Sequence, residues 1–525
     1  MMNLLNKIKN ITRDQLLKIF TVTVALIIIL DMDQYLYEFL NSYNLPLPST
    51  ILTYLWLPLF VILVFLILEP NKKRVFMITV IIGIIYIVYF IIHHYITKDL
   101  ATTLYLTNNF YYSLKYELIY MFILIIPFGF IYAVYRINPT FDQVQSIMVM
   151  AAMIIAIPIV LGNIFTFSPS TYVGWTKANF FTWFTGIYDT YLPRELATKF
   201  FFSEGNTTGT VLFMTFPFTL NFMNRRKADW KGIITVIIQG MAMYCIATRV
   251  ATYGVLILMV VYLVILIFIF VIHRVRINLK FLLIYLTIFL AFLSMFKFTP
   301  AYVNQQLNTE NNGFLLDNES LRQEIKGTIG KPNLTPYSAE YINYYVHIFV
   351  DNAFLLSIPE TYYKDLYDYH IDPKFWVDLI FEYDFYQRAD GRAFEKIFSD
   401  YEWNKLNTVQ KLFGFSYSTY MTGGILLEQD FAMQFYTHGY IGFCILCAPW
   451  LAILLIIIIL ALKRFKYIVS IDILVCGVAL CGGLVCAYAS GHTLDETFSS
   501  ILLATLMAEL LILVNKNKKE MSNND

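Results

Sequence analysis

The sequence predicts an all-α, polytopic membrane protein with about twelve transmembrane helices and one large, mainly helical loop domain outside the cytoplasm. Of its 525 residues, 58% are hydrophobic and only 14% are charged, and the mean hydropathy is +0.60. A soluble domain is nearer half apolar and a quarter charged. Apolar runs recur along the chain, and clusters of Lys and Arg occupy alternate connections between them. Together these features indicate a chain that crosses the bilayer many times.

Each predicted span is an apolar run of roughly 17–25 residues, the length that crosses a bilayer as a helix. The runs lie near residues 15–32, 51–68, 75–94, 115–135, 146–166, 208–223, 233–249, 252–272, 281–298, 434–462, 468–490 and 498–515. The first run has no small-residue cleavage site after it, so we expect a retained helix and not a signal peptide. The predicted domains are helices 1–9 in 1–298, the loop domain in 299–433, helices 10–12 in 434–515 and a tail in 516–525.

The orientation follows from the basic clusters, because Lys and Arg accumulate in short cytoplasmic loops. The clusters are the N-terminus, Lys72 to Arg74, Arg136, Arg225 to Lys227, Arg274 to Lys280, Lys463 to Lys466 and Lys516 to Lys519. Their alternation puts both termini in the cytoplasm and predicts a multi-pass protein of the plasma membrane. The loop 299–433 is then extracytoplasmic, and it is too long to be an idle connection.

Composition and missing motifs exclude several classes of function. The net charge of +1 gives no indication of nucleic-acid binding, and all six cysteines lie in apolar runs, which argues against a disulfide framework. The sequence has no Walker loop, no dinucleotide-binding GxGxxG, no HExxH and no Cys/His metal cluster. We therefore expect no cofactor and no metal. Any reaction takes place in or beside the membrane, on a substrate that arrives already activated.

Two motifs stand at the predicted outer ends of helices. In Glu204-Gly-Asn206-Thr-Thr-Gly209, the free N–H groups of the following helix would suit an anion, although a helix cap with close packing explains the motif equally simply. In Thr248-Arg249, the cation lies between apolar segments. Such a residue either has a partner or a pathway, or extends to the membrane interface.

Polar residues also mark the loop domain and its return to the membrane. Arg392 follows Gly391, and it is either a ligand-binding cation or a surface ion-pair partner. Glu428 and Asp430 stand where the loop re-enters the membrane, and stabilisation of a helix N-terminus accounts for one of them better than for both. His492 ends the next helix hairpin on the same face. The many tyrosines between Tyr337 and Tyr369 suit sugar stacking, but core packing is the favoured interpretation for most of them.

Taken in order, these segments resemble the O-antigen ligase/polymerase superfamily, bacterial membrane glycosyltransferases that move glycans carried on a polyprenyl diphosphate. The resemblance runs from about Phe201 to the end, through Asn206 to Gly209 with Pro217, Thr248-Arg249, Gly391-Arg392, Phe413-Gly-Phe, Glu428-x-Asp430 and Gly439-x-x-Gly442. It implies an extracytoplasmic, metal-independent transfer. Arg249 and Arg392 would hold the lipid diphosphate, and Glu428, ahead of Asp430, would be the general base. Asn206, Gly209 and His492 would support the site.

The resemblance favours one branch of the superfamily. Lipid A-core ligases tend to have His-Asn where this chain has Glu428-Gln, which resembles the polymerase branch more closely. The expected function is therefore polymerisation of lipid-linked repeat units into a surface polysaccharide. Ligation of the glycan to a non-lipid acceptor stays open, as do a flippase for the same lipid-linked sugars and a non-catalytic scaffold. The expected partners are the lipid-linked donor, a glycan acceptor, the bilayer and other membrane proteins of polysaccharide assembly.

Overall fold

The computed structural model describes residues 11–100, 104, 109–274, 278–330, 333–356, 358–389, 391–424, 427–464 and 469–515. It is 79% helical, and the described residues form no β-strand beyond one isolated bridge between Pro169 and Trp175. The all-α fold class predicted from the sequence is therefore confirmed. The predicted tail, 516–525, lies outside the described residues, as do parts of three predicted basic clusters: the N-terminus, 275–277 and 465–466.

The helices fall into three groups along the chain. Before the loop they are α1 (Arg13–Leu30), α2 (Pro48–Leu68), α3 (Lys72–Thr97), α4 (Leu114–Ile137), α5 (Phe141–Ile164), α6 (Gly205–Arg225), α7 (Trp230–Cys245), α8 (Arg249–His273) and α9 (Leu279–Phe296). In the loop they are α10 (Pro300–Asp317), α11 (Glu319–Thr328), α12 (Ala339–Asn352), α13 (Pro373–Glu382), α14 (Phe385–Ala389), α15 (Gly391–Lys405), α16 (Thr408–Phe413) and α17 (Tyr417–Gly423). After the loop come α18 (Asp430–Lys463), α19 (Ile471–Ala489) and α20 (Thr497–Asn515).

Within the described part of the chain, ten helices are long and apolar enough to cross a membrane. The other two predicted spans correspond to α6 and α7, which depart from the simple pattern for different reasons. Helix α7 has only 16 residues. Helix α6 is long enough but rich in Thr and Asn, and nearly all of it is buried, because it packs against α5, α7, α8, α19 and α20. A helix that is surrounded by other helices does not need an apolar surface, because it does not contact lipid.

The polar side chains of α6 and its neighbours bond to one another. Asn221 donates from Nδ2 to Gln145 Oε1 at 2.7 Å, and Gln239 donates from Nε2 to the carbonyl of Leu212 at 2.9 Å. Bonds of this kind join transmembrane helices, because an unpaired polar group in an apolar interior is costly. They explain why the hydropathy of α6 is low although it is the central helix of its unit.

The chain forms two compact units. The first comprises the described residues of Met1–Thr79, Phe122–Asn304 and Ala448–Asp525, and the second those of Val80–Met121 and Gln305–Cys447. We call them the first unit and the second unit. The second unit includes most of α3, from Val80 onward, and the start of α4. Leu100, Leu104 and Phe110, which lie in the connection between these helices, share one hydrophobic core with the loop helices. The domain boundaries drawn from the sequence stay predictions.

Aromatic side chains dominate the core of the second unit. Trp376 of α13 stacks on Phe394 of α15, with ring centroids 5.2 Å apart. Tyr367 is fully buried and donates to the Asp372 carboxylate at 3.1 Å, and Tyr401 donates to the same carboxylate at 2.6 Å. Tyr367 is therefore structural, since it buries its ring and satisfies its hydroxyl, and the partly buried Tyr401 packs against the same core.

A break in α18 shapes the point where the loop returns. Gly439 has φ 66° and ψ −171°, which interrupts the helix. Two carbonyls near the break then accept bonds from another segment: Phe415 N–H donates to Tyr436 at 2.9 Å, and Ser416 N–H donates to Thr437 at 2.9 Å. The backbones meet at Gly414, where a Cβ atom would lie 2.5 Å from the nitrogen of Gly439. The two glycines of the sequence motifs therefore permit one close backbone crossing.

Candidate functional site

Arg392 and Glu428, 36 positions apart in the sequence, form an ion pair in the second unit. Arg392 lies in the first turn of α15, and Glu428 lies just before α18 begins. The pair joins Nη2 to Oε2, and the two side chains are 36% and 33% exposed. About a third of each side chain is thus exposed, although Oε2 of Glu428 is itself buried in the pair. The structure brings together the predicted anion-binding arginine of the loop and the predicted general base.

Glu395 lies one helical turn after Arg392, and the residue is buried, with 8% of its surface exposed. Tyr362 donates to its Oε1 at 3.4 Å. Burial raises the pKa of Glu395 to about 8, and the charge of Glu428 adds to this effect, while the guanidinium of Arg392 opposes it. Near neutral pH, Glu395 is therefore mostly protonated beside the Arg392–Glu428 pair.

Glu395 was not identified from the sequence. The available signal was its spacing: Arg392 and Glu395 are three apart in a helical segment, so they share a face. Burial raises the pKa of Tyr362 to about 12, with Glu395 as the next cause, so this phenol keeps its proton. We call Tyr362, Arg392, Glu395 and Glu428 the charged cluster.

Two other arginines of the second unit differ from Arg392 in their surroundings. Arg322 and Arg388 are buried and both pair with Glu319. Arg322 Nη1 also donates to the carbonyl of Phe381 at 3.0 Å, and Arg388 Nη1 donates to that of Leu355 at 2.8 Å. These two guanidinium groups hold the fold together. Arg392 is the more accessible of the three for an incoming anion.

Asp430, the second predicted carboxylate, is the first residue of α18 and is fully buried. Its place in the first turn matches the preference of acidic side chains for the N-terminal end of a helix. Glu428, two residues earlier, is only half-buried. Of these two residues, Glu428 is the more exposed.

Arg249 and Gly209 lie in the first unit. Arg249 is exposed at the N-terminus of α8, directly after Thr248, whose hydroxyl accepts the N–H of Ala251 at 3.4 Å. Gly209 of α6 lies against that cap: a Cβ atom there would be 2.5 Å from Thr248 Oγ1. The glycine therefore permits close packing of α6 on the start of α8, as the simpler interpretation of its motif expects.

Asn206 and His492 lie in the first unit as well. Asn206 is half-buried in the first turn of α6. His492 has φ 55°, and its Nδ1 is 3.6 Å from Asp495 Oδ2. The seven predicted site residues thus divide between the units: Arg392, Glu428 and Asp430 belong to the second, and Arg249, Asn206, Gly209 and His492 to the first.

The first unit also contains a polar cavity of about 520 Å³. Its lining includes Asp31, Ser203, Glu204 and Glu496, and Ser203 donates from its hydroxyl to Asp31 at 2.8 Å. Burial raises the pKa of Glu496 well above its usual value, and the neighbouring carboxyl group of Asp495 adds to this effect. A cavity with these groups can hydrogen-bond sugar hydroxyls. Glu204, the first residue of the motif interpreted from the sequence as a helix cap or an anion site, lines this cavity.

One group of side chains has the composition of a metal site. His93, Glu117 and His438 of the second unit are buried, and one ligand atom from each lies within 4.8 Å of the other two. No sequence motif indicates this group, because its three residues come from three different helices and meet only in the folded chain.

These features define a class: an all-helical, multi-pass membrane protein with a polar, aromatic-cored unit that bears an accessible cation and carboxylates. The comparison with protein families gives the particular group. The family model described as "O-antigen ligase like membrane protein" matches residues 10–517, nearly the whole chain, and the protein belongs to this family. Neither the curated proteins nor the solved structures contain a match to the chain. The family indicates a membrane glycosyltransferase-like enzyme that transfers lipid-linked glycans.

Proposed function

We propose that this protein polymerises polyprenyl-diphosphate-linked oligosaccharide repeat units into a cell-surface polysaccharide, on the extracytoplasmic face of the plasma membrane. A hydroxyl of the terminal sugar on one lipid-linked unit attacks the anomeric carbon of a second lipid-linked chain. The bond from that carbon to the diphosphate oxygen breaks as the glycosidic bond forms. The polyprenyl diphosphate leaves, and the proton of the attacking hydroxyl passes to Glu428.

The observation that carries the proposal is the accessible ion pair between Arg392 and Glu428. A guanidinium has five N–H donors and binds phosphate oxygens in pairs, so Arg392 can hold a diphosphate while it contacts a carboxylate. It would also stabilise the negative charge that develops on the leaving diphosphate. Glu428 on the other side of the pair is then next to the reacting bond, where a general base is needed.

Glu395 supports the proposal through its charge. With a pKa of about 8 it is mostly neutral at neutral pH, so the three side chains Arg392, Glu395 and Glu428 have a net charge near zero. A second ionised carboxylate would repel the diphosphate that Arg392 has to bind. The buried environment of Glu395 thus keeps the charged cluster ready for an anionic donor. Catalytic sites often contain two neighbouring carboxyl groups whose environments move their pKa values apart in this way.

Ligation of the glycan to a non-lipid acceptor uses the same donor, the same cation and the same base, and differs only in the acceptor. We favour polymerisation because Glu428-Gln429 stands where the lipid A-core ligases of the superfamily have His-Asn. The proposed transfer is metal-independent, and its other partners are membrane proteins of polysaccharide assembly. Arg249 is proposed separately as a contact to lipid diphosphate, from the resemblance alone.

The test is gel analysis of surface glycans in the native host carrying Arg392→Ala, with membrane levels of the protein checked by blotting. The matched control is Lys396→Ala, because Lys396 lies on the same helix and forms an exposed ion pair with Asp400. We expect long chains to vanish and single lipid-linked repeats to accumulate in Arg392→Ala only. Long chains that stay on the carrier would identify a ligase instead. Unchanged glycans in both variants would remove Arg392 from the reaction.

A further inference from the structure

We propose that His93, Glu117 and His438 bind one divalent transition-metal ion, of which Zn²⁺ is the first candidate, and that this ion ties three helices of the second unit together. The inference is independent of the proposed glycan transfer. It begins with burial: His93 is 1% exposed, and Glu117 and His438 are 0% exposed. His93 lies near the end of α3, Glu117 in the first turn of α4, and His438 directly before the break in α18.

The hydrogen bonding of these side chains is incomplete. Among the described residues, no atom forms a hydrogen bond with either ring nitrogen of His438. The carboxylate oxygen Oε2 of Glu117 has no hydrogen-bond partner either. The other carboxylate oxygen, Oε1, accepts the backbone N–H of Ser418 at 2.8 Å. An unpaired buried polar group costs about 1–3 kcal/mol, and more if it is charged. A cation between these atoms would satisfy Glu117 Oε2 and one of the two ring nitrogens of His438 at once.

An ion pair between a protonated His93 and Glu117 is the simplest alternative, but it accounts for only part of the arrangement. It would neutralise the carboxylate, yet it would leave both nitrogens of the buried His438 ring without a partner. The ring cannot move away easily, because it stacks on Tyr120 with centroids 5.5 Å apart and lies 5.3 Å from the ring of His93. Coordination of a metal ion, unlike this ion pair, would give one His438 nitrogen a partner.

The donor set suits zinc. Two imidazoles and one carboxylate, with water in the fourth position, are an established zinc environment. Bonds of about 2.0–2.2 Å would put the ligand atoms of a tetrahedral site about 3.3–3.6 Å apart. The present separations of up to 4.8 Å therefore require the side chains to move together by about 1 Å, which small rotations supply.

The surroundings of His93 also fit a metal ligand. Its Nε2 lies 3.1 Å from the carbonyl of Thr437, the residue before His438. A ring N–H that donates to a backbone carbonyl fixes the orientation of a ligating histidine. The carbonyl of His438 itself accepts the hydroxyl of Tyr89 at 3.1 Å. The backbone near the break in α18 is therefore held from α3 independently of any ion.

The test is metal analysis of the full-length protein, purified in detergent without a histidine tag, exposed to Zn²⁺ and then passed through a desalting column. We expect about one zinc per chain and X-ray absorption that indicates nitrogen and oxygen ligands. His438→Gln should reduce the zinc content at least ten-fold. His347→Gln and Cys444→Ser should retain it, because His347 has an 80% exposed side chain and Cys444 is exposed.

Wild-type measurements decide the case even if His438→Gln does not fold. Chelation should lower the melting temperature of the wild-type protein, and added Zn²⁺ should restore it. Less than about a tenth of an equivalent of bound zinc in the wild type would overturn the proposal. Sulfur ligation in the absorption spectrum, or loss of the zinc in Cys444→Ser, would overturn it as well, because the metal would then be on cysteine.

Discussion

Replacing Glu428 by Gln separates a catalytic role from a structural one, because the two roles predict effects of very different size. The substitution keeps the shape of the side chain and removes its charge. The ion pair with Arg392 is about one-third exposed, and exposed pairs contribute only about 0–1 kcal/mol to stability. We therefore expect the melting temperature to change by a few degrees at most.

The expected effect on the reaction is much larger. A general base contributes about 10²–10⁴ in rate, which corresponds to about 3–5 kcal/mol in the activation free energy. We expect Glu428→Gln to lower kcat by about this factor and to leave the KM for the donor within a few-fold. Removal of a negative charge beside a diphosphate site adds no repulsion towards the anion, so binding of the donor should survive.

The assay uses purified protein in lipid nanodiscs with a lipid-linked repeat unit as both donor and acceptor, and it counts glycosidic bonds formed. The matched control is Glu382→Gln, because Glu382 forms a comparable exposed ion pair with Lys326 at 2.9 Å in the same unit. The control should keep its kcat. A kcat for Glu428→Gln equal to that of Glu382→Gln would refute the assignment of the base. A large fall in melting temperature would show that the residue is structural.

Three further predictions follow from the charged cluster, from α8 and from the break in α18. Above about pH 8 the wild-type KM for the donor should rise, because Glu395, with a raised pKa of about 8, becomes an anion there. The Glu395→Gln variant should show no such rise. A pH profile of KM in this variant that equals the wild-type profile would contradict the reasoning. Arg249→Ala should lower donor-dependent activity about ten-fold or more at unchanged protein level, with partial recovery in Arg249→Lys; equal activity in all three would remove Arg249 from diphosphate binding. Gly439→Ala should lower the yield of folded protein in size-exclusion chromatography, because Gly439 has φ 66° and a Cβ atom there would lie 2.5 Å from the nitrogen of Gly414. Gly477→Ala, at a position with open space around it, should fold like the wild type.

Much of the fold could be predicted from the sequence, because the signal for a membrane helix is local. About 20 consecutive apolar residues span a bilayer whatever their partners are, so each predicted span has a helix in the structure. The exceptions in hydropathy or length, α6 and α7, follow from context. Protein instead of lipid surrounds α6, and its Thr and Asn side chains bond to neighbouring helices. No local sequence pattern shows whether a helix will be surrounded by lipid or by other helices of the protein.

The candidate site was predictable only in part, and the reason is again the range of the interactions. The sequence by itself determined the helical membrane class, the family, and Arg392 and Glu428 as single candidates, because each depends on composition or on a short ordered motif. Only the tertiary structure decided that these two residues form a pair, that Glu395 lies buried beside them, and that His93, Glu117 and His438 meet in one interior. Such groupings depend on contacts between segments up to 345 positions apart, and burial, which sets the protonation of Glu395, is a property of the packed chain and not of any stretch of sequence.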